Sequence, residues 1–319
     1  YLWLAEQAGL ELIAETEVTA VRAKDGGYVV EAERSIAPKK KGLRFTANKV
    51  VFAGGVMGTM PLLLAMKADK NGLPKLSDRL GDEVRTNSES LIGVVAPDYP
   101  EALSKGVAIT SILHTDAHSH VEPVRYGNGS GFFRTMMLPH APGDTVGQRL
   151  AVMLKSLVAE PKKWARAFAA EDFARQSQVM LYMRTLEGSL KMKLGRSAFT
   201  AFRKGLVTVL EDASQAPKAF MPEATELANR FAEKVGGVTA TLLTETLLGT
   251  PSTAHILGGA TMGRHRDEGV IDKDHQVFGY DGLYVIDGSA VSANPGVNPS
   301  LTITALAERA MSKIPAKSA

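Results

Sequence analysis

The chain has 319 residues, with 37 Lys and Arg against 34 Asp and Glu, a formal charge of +3 and 45% hydrophobic residues. That balance excludes a dedicated nucleic-acid binder and a disordered chain, and the longest strongly apolar stretches, such as Met60 to Met66, are far shorter than the roughly 20 residues that cross a bilayer. With no cysteine, disulfides, thiolate metal sites, cysteine nucleophiles and iron–sulfur clusters drop out together.

Tyr1 to Gly9 reads as a helix, and a chain that starts at Tyr1 reads as a piece of something longer. Alternating apolar residues from Leu10 to Arg22, a Gly26-Gly27 turn and Tyr28 to Ala32 predict a hairpin. The basic run Lys39 to Lys41 reads as a solvated turn, and Phe45 to Phe52 as a further strand. Val50 to Phe52 breaks into Gly54-Gly55, ahead of a helix predicted from Pro61 to Met66. A buried strand, a glycine turn and a helix start together offer backbone N–H groups to a phosphate or a ring oxygen.

From Leu91 to Val124 β-type segments alternate with turns, including Ile109 to Leu113 and His120 to Val124. Apolar residues at helical spacing follow between Thr145 and Ala170, divided into two helices by Pro161, and this pair suits a lid. Strands are predicted at Gln178 to Thr185 and Leu206 to Leu210, and a helix at Pro222 to Val235. After Gly249 turn residues become dense, the usual mark of a site assembled from loops.

That last region concentrates the chemistry. His255 precedes Gly258-Gly259, and an imidazole can take a proton from a hydroxyl near neutral pH. Asp287-Gly288 ends the strand Leu283 to Ile286, where open α/β sheets place ligand-binding groups. Asn298-Pro299 opens the helix Ser300 to Ala310, whose free N–H groups suit an electron-rich ring. Read alone, each has a plain structural alternative: a core histidine, a turn, a helix cap.

The ordered combination resembles the glucose-methanol-choline (GMC) oxidoreductases, flavin enzymes that oxidise alcohols, and their bacterial cholesterol oxidase branch in particular. The carrying residues are His255 to Gly259, Leu283 to Ser289 and Gly296 to Arg309, with Val50 to Leu64 similar to the strand and glycine turn beside the flavin. The resemblance implies FAD as cofactor, His255 as the base for the substrate hydroxyl or the group that orients it, and Asn298 as the donor that positions its oxygen. It implies that Gly54, Gly55, Asp287, Gly288, Asn298, Pro299 and Thr302 hold the flavin. It also implies a buried carboxylate that moves a steroid double bond, for which Glu122 is the candidate; an apolar setting would raise its pKa and suit it to proton shuttling.

The family's opening Gly-x-Gly-x-x-Gly element is missing, because Gly127 to Gly131 has the wrong spacing, so the adenosine half of the FAD site is expected on a preceding portion. His114, Asp116, His118 and His120 would form a zinc cluster if one strand faced them together, but nothing is placed to complete it and no metal is expected. A serine hydrolase lacks its elbow, since Asn128 stands two residues before Ser130. The expectation is an α/β (α+β) fold. Residues 1–92 and 250–319 form an incomplete FAD-binding domain, and 93–249 an antiparallel-sheet substrate domain with a helical lid. The substrate is an apolar alcohol, a sterol, with oxygen or another electron acceptor, no nucleic acid and at most peripheral membrane contact. Two alternatives stand beside it: a non-catalytic flavoprotein half, and an oxidoreductase for a non-steroid alcohol.

Overall fold

The computed structural model describes residues 1–36, 42–186, 188–197, 200–212, 214 and 216–315. After a short helix α1 (Leu2–Gln7), a first sheet forms from β1 (Thr16–Lys24), β2 (Gly27–Arg34) and β3 (Gly42–Ala47), antiparallel in that order, with a tight turn at Gly26 joining the first two. The predicted hairpin is present, beginning six residues later than its first apolar position. The basic run Lys39 to Lys41 lies outside the described residues.

Phe45 to Phe52 is not one strand. The chain leaves the first sheet at Asn48-Lys49, and β4 (Val50–Phe52) pairs in parallel with Leu283–Val285 in a separate sheet. Helix α2 (Gly55–Ala68) follows at once, six residues before the predicted start, with Pro61 inside it. Proline favours the first turn of a helix, but the buried stripe Val56, Thr59, Met60, Leu63 and Met66 recurs at helical spacing and carries the helix through it.

The central layer is a six-stranded sheet of β5 (Ser90–Val95), β6 (Leu113–Asp116), β7 (Ser119–Val124), β8 (Met137–Pro139), β9 (Ser177–Arg184) and β12 (Val238–Leu242). Its order is β6-β7-β9-β5-β12-β8, antiparallel throughout. Ile109 makes only a single bridge, to Val124, so the predicted strand there starts later, at Leu113. His114 on β6 faces His120 across the hairpin, ring centroids 5.6 Å apart, while His118 sits in the turn; the three do not share one strand.

Helices α3 (Val146–Ala159) and α4 (Pro161–Phe168) divide at Pro161 as predicted. A two-stranded ribbon, β10 (Lys191–Gly195) and β11 (Gly205–Val209), leads to α5 (Pro222–Val235), which ends on Gly236 with φ +68. Helix α6 (Leu243–Leu248), strand β13 (Leu283–Val285) and α7 (Ser300–Met311) complete the order.

Strand register assigns the two faces of the large sheet. Ile92, Val121 and Tyr182 pack on one side against Ala224 and Ala228 of α5. On the other, Glu122, Leu181 and Leu91 stand in a row, since Glu122 pairs with Leu181 and Leu181 with Leu91. Trp164 and Ala167 of α4 cover one end of this second face at Val95, Val238 and Ala240. A separate core joins β1, β2 and α2 to Val270, Ile271, Val277, Leu283 and Val285, and draws in Met192 of β10. No helix among the described residues is long and apolar enough to cross a membrane.

Candidate active site

The parallel pair β4 and β13 delivers two turns side by side. Ile286 N donates to Phe52 O at 2.9 Å, so Gly54 and Asp287 emerge from neighbouring strand ends. The Asp287 carboxylate is spent on building its own turn: Oδ2 accepts the Thr59 hydroxyl at 2.5 Å and Oδ1 the Ser289 N–H at 2.8 Å. Gly288 is packed against Leu257, with its carbonyl taken by the N–H of Gly258 at 3.0 Å. Gly54 caps α2 and Pro299 caps α7, and neither helix start has a side-chain cap. Thr302 is half-buried in the first turn of α7.

His255 lies on the loop after α6, and its partner is a residue that motif reading missed. Glu89, buried just ahead of β5, accepts His255 Nδ1 at 2.7 Å, Ala254 N at 2.6 Å and His255 N at 3.4 Å. Burial works to raise the Glu89 carboxyl, but the hydrogen bonds from His255 and Thr253 outweigh it and hold the group below the usual carboxylate range. With Nδ1 donating to a carboxylate, Nε2 of the neutral ring is left as the acceptor.

Asn298 reaches the large sheet, donating from Nδ2 to Glu122 Oε2 at 2.6 Å. His120 Nε2 stands 3.5 Å from the other carboxylate oxygen, and burial holds this imidazole below its ordinary value against the pull of Glu122. No direct hydrogen bond joins His255 to Asn298 among the described residues.

One short segment carries both. Arg85 and Leu257 exchange backbone hydrogen bonds at 2.7 and 2.9 Å, Glu89 takes the His255 loop, and Asn87 Nδ2 donates to Val297 O at 2.7 Å. Arg85 to Glu89 therefore ties the histidine loop to the residue before Asn298. Asn294 fixes the latter loop from within, with Nδ2 on the carbonyls of Arg184 and Leu186 and Oδ1 on the Gly296 N–H.

Beside Ala254 opens an apolar cavity of about 290 Å³, lined by Leu91, Tyr126, Phe133, Met137, Phe173 and Val179 among others. It occupies the face of the sheet that carries Glu122 and Leu181. Among the described residues no group of three His, Asp or Glu side chains is arranged to hold a metal ion.

The family model "GMC oxidoreductase" matches residues 187–307. The chain is 38% identical to a cholesterol oxidase of Acinetobacter baumannii over 99% of its own length and 57% of that protein's. It is 39% identical to a cholesterol oxidase of Mycobacterium tuberculosis over 99% of its length and 55% of the other's. It thus spans about half the length of the curated relatives it matches. A crystal structure of pyridoxine 4-oxidase covers 93% of this chain and 57% of that one at 13% identity, with a TM-score of 0.49.

Proposed function

The chain belongs to the GMC oxidoreductases through the C-terminal domain it carries over residues 187–307, and from that footing we propose that the complete protein oxidises the 3-hydroxyl of a sterol to a ketone. The observation that carries the reading is the pair of buried Glu89 and half-buried His255 beside an apolar cavity. A base aimed by a carboxylate serves alcohol oxidation, and a cavity lined by Leu, Val, Met and aromatic side chains serves an apolar alcohol.

The residues present suit FAD. Gly55 has φ +67, and a Cβ at Gly55 or Gly58 would meet nothing within 4 Å, so this stretch of backbone is open to close approach. The starts of α2 and α7, both free of side-chain caps, present unsatisfied N–H groups to electron-rich atoms. Gly54, Gly55, Gly288, Asn298, Pro299 and Thr302 would hold the isoalloxazine and ribityl portion, with Asp287 fixing the turn that presents them. Bound there, FAD would supply the acceptor for the hydride released from the carbinol carbon.

The chain's own residues then have distinct tasks. His255 Nε2 takes the hydroxyl proton while Glu89 holds the ring and stabilises its protonated form. Asn298 positions the substrate oxygen. Glu122 carries a proton between ring carbons and so moves the double bond after oxidation. Oxygen is the terminal acceptor and leaves as hydrogen peroxide.

The test is the complete protein with cholesterol and with short secondary alcohols, following ketone and peroxide, beside a His255→Ala variant. The expected result is sterol turnover that falls by roughly 10² to 10⁴ in the variant while the flavin spectrum is kept. Oxidation of none of these alcohols would overturn the reaction class, and full turnover without the imidazole would overturn the role of His255.

A further inference from the structure

A second carboxylate holds the His255 loop from its other end. Glu245 on α6 is almost completely buried, and its Oε1 accepts the Ser252 N–H at 3.2 Å. Glu89 takes the N–H groups of Ala254 and His255 and the imidazole itself. The four residues Ser252 to His255 are thus clamped between two buried acids, and Ser252, Thr253 and Ala254 also line the apolar cavity.

The two acids are not equivalent. Glu89 has several donors on it, among them an imidazole, whereas Glu245 Oε2 is buried without a hydrogen-bond partner. The charged group that reaches α6 from α3 is Arg149, and it gives Nε, Nη1 and Nη2 to the carbonyls of Thr246, Gly143 and Leu247. From β8 and β12 the neighbours of α6 are Pro139 and Thr241, both uncharged. A carboxylate without a partner in such a place is costly, and a neutral carboxyl is far less so.

We propose that Glu245 is a positioning residue for His255: as a neutral carboxyl it closes the far end of the loop and leaves Glu89 alone to carry the negative charge that orients the imidazole. Burial, reinforced by the charge of Glu89 and opposed by the bonds from Ser252, pushes Glu245 up to about 7. Ionisation above that pH sets two like charges on one loop and loosens the hold on the ring. The proposal rests on His255 being the base.

The experiment compares the complete protein with Glu245→Gln and Glu245→Ala, reading kcat/KM against pH and the thermal midpoint against pH. Glutamine copies the neutral carboxyl. It is expected to hold kcat/KM within about threefold of wild type at pH 6 and to remove the wild-type decline above pH 7. Alanine is expected to lose about tenfold in kcat at pH 6, so the conservative variant rescues what alanine loses.

The thermal midpoint gives a reading independent of turnover. The folded pKa lies above that of an unfolded glutamate, so wild type loses stability as pH rises from about 4.5 to about 7, and the Gln variant lacks that slope. A Gln variant with the wild-type alkaline decline, or with the wild-type slope, overturns the proposal. A flattened thermal slope with an unchanged rate profile assigns Glu245 a purely structural place and overturns it equally. Failure of His255 as the base appears instead as turnover surviving His255→Ala.

Discussion

Asn298 gives an amide N–H to Glu122 Oε2 at 2.6 Å, so the residue that opens the last helix and a buried acid of the large sheet share a hydrogen bond across 176 positions of sequence. Because Glu122 pairs with Leu181 in the row that also holds Leu91, this bond brings a polar group to the apolar face. A carboxylate there can take a proton from carbon, and an amide cannot.

Glu122→Gln therefore separates two steps in the complete protein. The glutamine carbonyl still accepts from Asn298, so the loop stays in place. Ketone formation should continue, while formation of the conjugated ketone, followed by its ultraviolet absorbance, should fall by about 10²-fold or more. An unchanged product mixture would remove Glu122 from the chemistry.

Glu89 governs both the ring and pH stability. Glu89→Gln should lower kcat by on the order of 10² to 10⁴, because the amide neither fixes the Nδ1–H tautomer nor stabilises the protonated ring. The folded carboxyl is held below its ordinary value of 4.5, so its contribution to stability is present above that pH and lost as pH falls through the lowered value. Urea unfolding should show the variant weaker than wild type at pH 7, with the gap closing under acid. A gap that persists at low pH would mean that the carboxylate charge is not the source.

What the sequence disclosed followed the range of each signal. Asp287-Gly288 after a strand and Asn298-Pro299 before a helix are local patterns, and both elements form where the periodicity places them. Glu89 sits in the polar run Asn87-Ser88-Glu89-Ser90, and its bond to the His255 backbone spans 166 positions, so no window of sequence shows it. The hint available was an acid standing directly against the apolar strand Leu91 to Val95. Glu245 was hidden in the same way, as a single acid in an otherwise apolar and hydroxylic helix. The start of α2 was misplaced because Gly54, Gly55 and Gly58 depress helix propensity, and only tertiary burial of Val56 and Thr59 reverses that.

Two glycines place the loops and differ in what opposes a side chain. At Gly258, φ +78, a Cβ would lie 2.1 Å from the Glu83 carbonyl oxygen, beside the Arg85–Leu257 bridge. At Gly296, φ +63, its nearest clash is 2.2 Å from the Thr185 methyl. Backbone yields less readily than a methyl group, so Gly258→Ala should cost about 3 kcal/mol or more and Gly296→Ala about 1–3 kcal/mol. Denaturant midpoints would show the order, and a larger loss at Gly296 would contradict it.

The cavity beside Ala254 tests substrate size apart from catalysis. Val179 lies on its wall, and strand pairing sets it beside Gly93 and Val124 on the face that carries Glu122. A phenyl ring at position 179 would take up part of the 290 Å³ space, whose lining includes none of Glu89, His255 and Asn298. Excess volume against a packed wall costs about 1–3 kcal/mol, or roughly 5- to 150-fold in affinity. Val179→Phe should therefore raise KM for a sterol by about tenfold or more and leave kcat/KM for a short secondary alcohol near wild type, because the small substrate needs only the polar end of the site. Equal loss on both substrates would mean that the ring disturbs the catalytic loops. No loss on either would mean that the sterol body lies elsewhere, and the assignment of this cavity would fall.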